Sequence, residues 1–293
     1  MNEGAKYMKR NLAYLAATVV CIGLFLAWAF VAKNQTDTKP PVISFKEEMP
    51  EISALEQKTA LLRGVTAYDD TNGDVTDSLV VASIRLSDTE GMVQVTYAAF
   101  DAAGNVAKAV RQVVYKDYES PKFSLSNSLT FVQNHSVDIF NIVHAQDMFD
   151  GDISHRVRIT LLEGDTITTV GEHLVELKVT NSLGETVCLA VPVEVYTSGI
   201  YAGTLTLTDY IVYLPATEEL DAESYLDTYI RNGVSVSLEE DLPAGYSLEI
   251  KNNVQQGVPG VYTVEYRVTQ TVGVGENAQN YTGYARLIVV VEG

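Results

Sequence analysis

Residues 12–32, LAYLAATVVCIGLFLAWAFVA, run for twenty-one positions without a charge, between Lys6, Lys9 and Arg10 on one side and Lys33 on the other. As a helix this stretch covers roughly 31 Å, which matches a hydrocarbon core about 30 Å thick. Ten of its residues, Leu12, Leu15, Val19, Val20, Ile22, Leu24, Phe25, Leu26, Phe30 and Val31, are strongly apolar. On an insertion scale they contribute roughly −3 to −6 kcal/mol, and nothing polar opposes them. The expectation is a retained transmembrane helix with residues 1–11 as a cytoplasmic tail, Tyr7 and Tyr14 near one interface, Trp28 near the other, and residues 33–293 outside. The rival is a cleaved signal peptide, since Ala27-Trp28-Ala29 has small-x-small spacing. The apolar run nevertheless exceeds the ~7–15 residues of a signal core and continues through Phe30 and Val31 past the candidate cut. Lipoprotein processing does not fit either, because Cys21 lies in mid-run behind Thr18-Val19-Val20, where it reads as a buried apolar residue.

Everything after the helix is strongly acidic. The chain carries 20 Lys+Arg and 38 Asp+Glu; without Lys6, Lys9, Arg10 and Glu3 the outer part keeps 17 and 37, a net charge of −20. Such a surface repels phosphate backbones, and there is no basic, aromatic-interleaved patch, so no nucleic-acid partner is expected. Cys188 is the one cysteine of the outer part, so no intrachain disulfide can form there and each domain has to be held by its core alone.

A polar stalk, residues 33–40, leads to Pro40-Pro41, and from there the chain repeats. GMVQVTYAA at 91–99, GEHLVELKV at 171–179 and GVYTVEYRV at 260–268 each alternate apolar residues with outward ones such as Gln94, Lys178 and Arg267. That period of two is the signature of a half-buried antiparallel strand. In the first two copies the strand enters a turn, 101–105 and 181–185, and a closing strand, 107–115 and 186–196, which together make a hairpin. Upstream, DDTNGDV at 69–75 matches DMFDGDI at 147–153. The third copy has a last strand at 284–291, a longer Gly/Asn-rich loop at 271–282, and a predicted short helix at 221–230 with Asp221 as its N-cap. Units of this length, dense in short Val/Tyr/Thr strands, read as β-sandwiches in series, with linkers at 116–121 and 197–202.

GVTAYDD at 64–70 with GDV at 73–75, followed by VTY at 95–97 and DAAGN at 101–105, resembles the bacterial immunoglobulin-like modules found in tandem on surface proteins, including the pesticidal crystal protein type. The second unit departs from that pattern at Asn181 and Glu185, and the third replaces the acidic turn with EEDLPAG at 239–245. The resemblance implies an all-β chain of three tandem Ig-like β-sandwiches after one N-terminal transmembrane helix. The expected domains are 41–117, 118–197 and, more divergent, 198–293.

The acidic turns are the candidate chemistry. In an Ig-like sandwich both turns of a unit lie at one end, which would gather Asp70, Asp74 and Asp101 at one junction, and Asp150 and Asp152 with Asp117 and Glu119 at the next. Oxygen-only clusters suit Ca²⁺. Against that, Asp and Asn beside glycine make their own backbone turn bonds, and the matched residues differ between copies. An EF-hand fails, with Tyr68 at its first position and Leu79 where the bidentate Glu belongs. The expectation is therefore no metal site and no cofactor. No catalytic residues are assigned: His135, His144, His155 and His173 lack zincin spacing, there is no G-x-S-x-G, and Cys188 alternates with core residues. A pilin-type Lys–Asn crosslink fails because Lys178 points outward, and the sequons at Asn34, Asn134 and Asn280 need no function in a bacterial chain.

The expected protein is therefore non-enzymatic: a single-pass cell-membrane protein with extracellular Ig-like domains, serving as a binding or spacer module in surface adhesion or envelope assembly. Its expected partner is a protein or cell-surface glycan, with the membrane engaged through residues 12–32. The alternative is an accessory subunit bracing an extracytoplasmic membrane or secretion complex, with Ala13, Ala16, Ala17 and Gly23 packing its helix on a neighbour.

Overall fold

Alternating apolar and polar residues produce strands throughout the chain beyond its N-terminal helix. The structure is a computed structural model that describes residues 3–34, 37–56, 58–89, 91–164, 166–197, 203–238, 242–273, 275 and 278–293, with the side chains of the helix from 14 to 30. Most of the 197–202 linker, the acidic residues 239–241, and the side chains of Tyr7 and the basic residues flanking the apolar run lie outside the described residues. The chain divides into two compact units, Met1–Asp117 and Tyr118–Gly293.

The first unit begins with helix α1 (Glu3–Asn34). Many of its described side chains are open: Leu15, Val19, Ile22, Leu24, Phe25 and Leu26 are 54–67 % exposed, and Cys21, expected among buried residues, is exposed as well. Among the described residues, which include the helix side chains only from 14 to 30, no helix is long and apolar enough to cross a membrane.

Seven strands follow: β1 (Val42–Phe45), β2 (Glu51–Ile52), β3 (Val65–Asp69), β4 (Gly73–Asp74), β5 (Val80–Leu86), β6 (Met92–Phe100) and β7 (Val106–Tyr115). They form one sheet in the order β1-β3-β4 and a second in the order β2-β7-β6-β5, antiparallel except that β2 runs parallel to β7. The inward residues of both sheets, Val65 and Ala67 against Val93, Val95, Tyr97 and Val113, are 0–4 % exposed. Arg111 is buried among them, with no carboxylate paired to it among the described residues. Its Nη2 donates to the Leu61 carbonyl and the Tyr97 hydroxyl at 2.7 and 2.8 Å, and its guanidinium lies over the Phe45 and Tyr97 rings. Carbonyl dipoles and ring faces thus replace water around a cation.

The second unit opens by repeating this plan strand for strand: β8 (Lys122–Leu125), β9 (Thr130–Val132), β10 (Val143–Asp147), β11 (Gly151–Asp152), β12 (Arg158–Leu161), β13 (Gly171–Thr180) and β14 (Thr186–Tyr196). Again there is a three-stranded sheet, β11-β10-β8, and a four-stranded one, β12-β13-β14-β9, with β9 parallel to β14. A short 3₁₀ turn also recurs, at Thr76–Ser78 and Ser154–Arg156, whereas the 3₁₀ helix Lys58–Leu62 belongs to the first copy.

The remaining strands are β15 (Gly203–Leu207), β16 (Ile211–Pro215), β17 (Leu226–Arg231), β18 (Val234–Ser237), β19 (Tyr246–Asn252), β20 (Gly260–Val272) and β21 (Gln279–Glu292). Here β15 pairs with both β17 and β21, so the two sides join into one sheet. The join depends on Gly203 and Gly283. A Cβ on either would lie 2.4 or 2.9 Å from the ring of Tyr229, which is 1 % exposed and has no room to move aside.

Two sequence expectations fail here. Residues 221–230 are not a helix: one 3₁₀ turn, Glu223–Tyr225, leads directly into β17. Asp221 is not its N-cap, which is Ala222, although Asp221 Oδ1 accepts the Glu223 N–H at 3.3 Å. The Leu226 and Tyr229 spacing that reads as a helix face is a strand with an irregular pairing, in which sheet contacts outweigh local propensity. The 271–282 loop is also shorter than expected, because β20 and β21 stay paired out to Val272 and Gln279.

Within residues 118–293 the two sets of strands share one continuous core running from Phe123 to Val291, so these sandwiches are not held independently. At their seam Arg286, 6 % exposed, meets Glu172 and Glu194 at 2.9 Å and Glu265 at 3.1 Å. Tyr284 donates to Glu194 at 2.6 Å, and burial, reinforced by that carboxylate, pushes its phenol well above the ordinary range. The Tyr213 hydroxyl accepts the Phe123 N–H at 2.8 Å across the same seam.

Candidate functional site

Strand parity sets the geometry of the acidic turns. Val65, Ala67 and Asp69 face inward on β3, as Val143, Ala145 and Asp147 do on β10, so the last residue of each strand buries a carboxylate, 1 % exposed at Asp69 and 2 % at Asp147. Each carboxylate organises its own turn. Asp69 Oδ1 accepts the N–H groups of Thr71 and Asn72 at 2.9 and 2.8 Å, and Asp147 Oδ1 those of Phe149 and Asp150 at 2.8 and 2.9 Å. Gly73 and Gly151 close the turns at φ 77° and 69°, a conformation that favours glycine. The next residues, Asp74 and Asp152, accept the N–H groups of Thr76 and Ser154 at the start of the 3₁₀ turns, and hydrogen bonds from the Thr76 and Ser154 side chains and N–H groups hold both carboxyls below the usual range.

The hairpin turns approach from the opposite sheet, and here the copies diverge. Asn181 uses Oδ1 to accept the Leu183 and Glu185 N–H groups, while its Nδ2 donates to Asp147 Oδ2 and to the Tyr118 hydroxyl, both at 3.0 Å. Tyr118 and Ser120 in turn donate to Glu185. Every polar atom of this cluster is thereby engaged within the protein. At the matching place in the first copy stands Asp101, which accepts the Asn105 N–H and Nδ2, each at 2.7 Å. Burial works to raise the Asp101 pKa, but these bonds outweigh it and the carboxyl titrates below its ordinary value.

The grouping expected from the sequence is therefore corrected. Asp70 turns to solvent and pairs with Lys39 at 3.1 Å, and Asp74 binds its own turn. Among the described residues the one group of carboxylates within 4.8 Å of each other is Asp37, Asp69 and Asp101. Asp150 binds Arg156 at 2.6 Å and the Ser182 N–H at 2.7 Å, Asp152 binds Ser154, and Asp117 binds Ser53 and the Ala54 N–H at 2.6 Å. Glu119 pairs with Lys122 at 3.5 Å. Asp37 and Asp69 were missed although Asp69 could have been found, because counting inward from Val65 puts it on the core face. Nothing in the sequence marks Asp37, which Asn105 brings in by donating to the carbonyls of Asp37 and Lys39, both at 3.2 Å.

A second feature stands out against a net charge of −20. A groove of about 870 Å³ on the outer face of β12 and β13 is lined by Arg156, Arg158, Lys178 and Glu176. Arg158 and Lys178 lie directly opposite each other in the strand register, and neither has an ion-pair partner among the described residues. Facing like charges weaken a strand pair.

No family model matches the sequence, so the expected likeness to the crystal-protein-type modules gains no support at the level of sequence, and no curated protein matches it either. Among solved structures the chain is similar to the CBM51-2 and INT domains of Clostridium perfringens ZmpB, determined in complex with GlcNAc, with 13 % identity over 86 % of this chain and 44 % of that one and a TM-score of 0.22. It is also similar to the extracellular domain of protocadherin gamma B4, with 11 % identity over 86 % of this chain and 50 % of that one and a TM-score of 0.19. Human mucin-like protocadherin EC1-2 matches with 12 % identity over 58 % of this chain and 98 % of that one, at a TM-score of 0.20. The chain spans about half the length of the first two.

Proposed function

We propose that this is a non-enzymatic, membrane-anchored protein that presents three Ig-like sandwiches outside the cell as a binding or spacer module. The observation that carries the reading is α1. A helix apolar on every side, with Leu24, Phe25 and Trp28 64–67 % exposed, has to be covered by something apolar, and residues 12–32 match the thickness of a bilayer core. Basic residues on the N-terminal side orient it with the sandwiches outward. Intact mass of the protein extracted from membranes at alkaline pH is expected to include residues 1–32. A mature chain starting at Phe30 would identify a signal peptide and remove the anchor.

The Ig-like assignment draws its support from the repeated topology, in which a short early strand runs parallel to the last strand of its sheet. Turns whose side chains bind their own backbone suit a scaffold more than a reaction centre. For the partner, a protein or glycan, the groove over Arg158 and Lys178 favours one carrying acidic groups, since two unpaired cations side by side gain most from an anion. Reversing both, Arg158→Glu with Lys178→Glu, is expected to abolish salt-sensitive binding to an anionic polysaccharide probe such as heparin. Undiminished binding would exclude the groove. Exchanging α1 for an unrelated anchor should leave function intact, whereas loss of function would favour the accessory-subunit alternative, in which the helix itself is recognised.

A further inference from the structure

We propose that Asp37, Asp69 and Asp101 form a Ca²⁺ site that fastens the segment preceding the first sandwich to its acidic turns. The argument begins at one oxygen. Asp69 is 1 % exposed, its Oδ1 is committed to two backbone N–H groups, and its Oδ2 is buried with no hydrogen-bond partner among the described residues. Leaving a buried charged oxygen unpaired is among the more costly arrangements in a protein. What faces it makes matters worse, since Asp37 and Asp101 each bring a further carboxylate oxygen within 4.8 Å, and Asp37 Oδ2 is also buried without a partner among the described residues.

The second sandwich supplies the internal comparison. At the same point of the same turn, Asp147 Oδ2 receives a hydrogen bond of 3.0 Å from Asn181 Nδ2. The site therefore needs a positive group opposite the buried carboxylate, and one copy provides it with an amide. The other copy places a carboxylate there, and Lys39, two residues beyond Asp37, pairs with Asp70 instead. Only a cation from solution completes it. Three carboxylates with no nitrogen or sulfur donor are the chemistry of a hard cation, and a site open to the irregular segment at Asp37 suits the flexible coordination of Ca²⁺ better than the strict octahedron of Mg²⁺. The difference between copies, which at the level of sequence argued against a metal, marks which copy holds one. Binding would tie residues 37–40 to the 69–75 and 101–105 turns.

The test is calcium titration calorimetry of the full-length, chelator-treated chain in detergent at about 0.15 M salt, where diffuse attraction to a −20 surface is screened. One saturating equivalent is expected, with a dissociation constant on the order of 10⁻⁴ M or tighter. Asp101→Asn should abolish it while leaving the unfolding transition in chelator at or above the parent's, because the second copy shows that asparagine fits. Asp37→Asn lies outside both sheets and cannot unfold them; it should weaken binding by about tenfold or more. Asp70→Asn should change nothing. Absence of a saturating equivalent, its persistence in Asp101→Asn, equal loss in Asp70→Asn, or equally tight Mg²⁺ binding would each overturn the proposal.

Discussion

Replacing Arg286 with methionine is expected to lower the unfolding free energy of residues 118–293 by about 3 kcal/mol. Methionine fills much of the same volume, so the loss comes from charge rather than from packing. Arg286 is 6 % exposed and stands between Glu172, Glu194 and Glu265; without it two carboxylates only about a quarter exposed are left near each other at the seam. Removing one partner of a buried pair costs about 3–5 kcal/mol. The lower end applies because Glu194 and Glu265 retain some water and Glu172, 60 % exposed, is largely screened. The pair itself need not be a large net stabiliser, since burying the guanidinium opposes its charge and the acidic groups around it only outweigh that effect. A double-mutant cycle separates these terms: Arg286→Met combined with Glu194→Gln should recover part of the loss, because it removes the stranded charge. Denaturant midpoints that move by less than about 1 kcal/mol for the single change would show that the seam is held by its apolar core alone.

The strands were legible because their inward faces are almost uninterrupted. Val93, Val95 and Tyr97, Val175, Leu177 and Val179, and Val264, Tyr266 and Val268 are each 0–1 % exposed, at the positions their alternation assigns. Closing strands and turns followed from the same logic, with 186–196 matching β14 to the residue. What misled was spacing without alternation. Asp221 beside Leu226 and Tyr229 has the look of a capped helix, yet the decisive facts, the parallel pairing of β15 with β21 and the two glycines under Tyr229, lie from 26 residues before to 54 residues after that ring. Local propensity carries no information about them.

The candidate site was half legible for a related reason. Proximity of the two turns follows from the sandwich, so Asp101 was placed correctly. Choosing Asp70 and Asp74 over Asp69 overlooked the strand parity, which turns the first aspartate inward and the second outward to Lys39. Asp37 could not be found at all, since its position is fixed by bonds from Asn105, which is 68 residues further along the chain. The shared core of the second unit was equally hidden. Arg286 reads in the sequence as an ordinary outward residue of an alternating strand, and only its position beside Glu172 and Glu194 shows that this outward face is covered.

Leu177 gives the most direct test of the strand assignment on which all of this rests. Its side chain is 0 % exposed, and its register partners on the neighbouring strands are Ile159 and Leu189. Truncation to alanine removes buried methyl groups and leaves a cavity that strands on both sides prevent from collapsing, so Leu177→Ala is expected to cost about 2–5 kcal/mol. Set against a domain stability of about 5–15 kcal/mol, this is a large fraction. One residue on, Lys178 points away into the open groove, and Lys178→Ala should change stability by less than about 0.5 kcal/mol, or raise it slightly by relieving the facing Arg158. A one-residue slip in register would exchange the two side chains between core and solvent, so it predicts the reverse order. Chemical denaturation of the two single variants decides between them, and a larger loss for Lys178→Ala than for Leu177→Ala would overturn the assignment of β13.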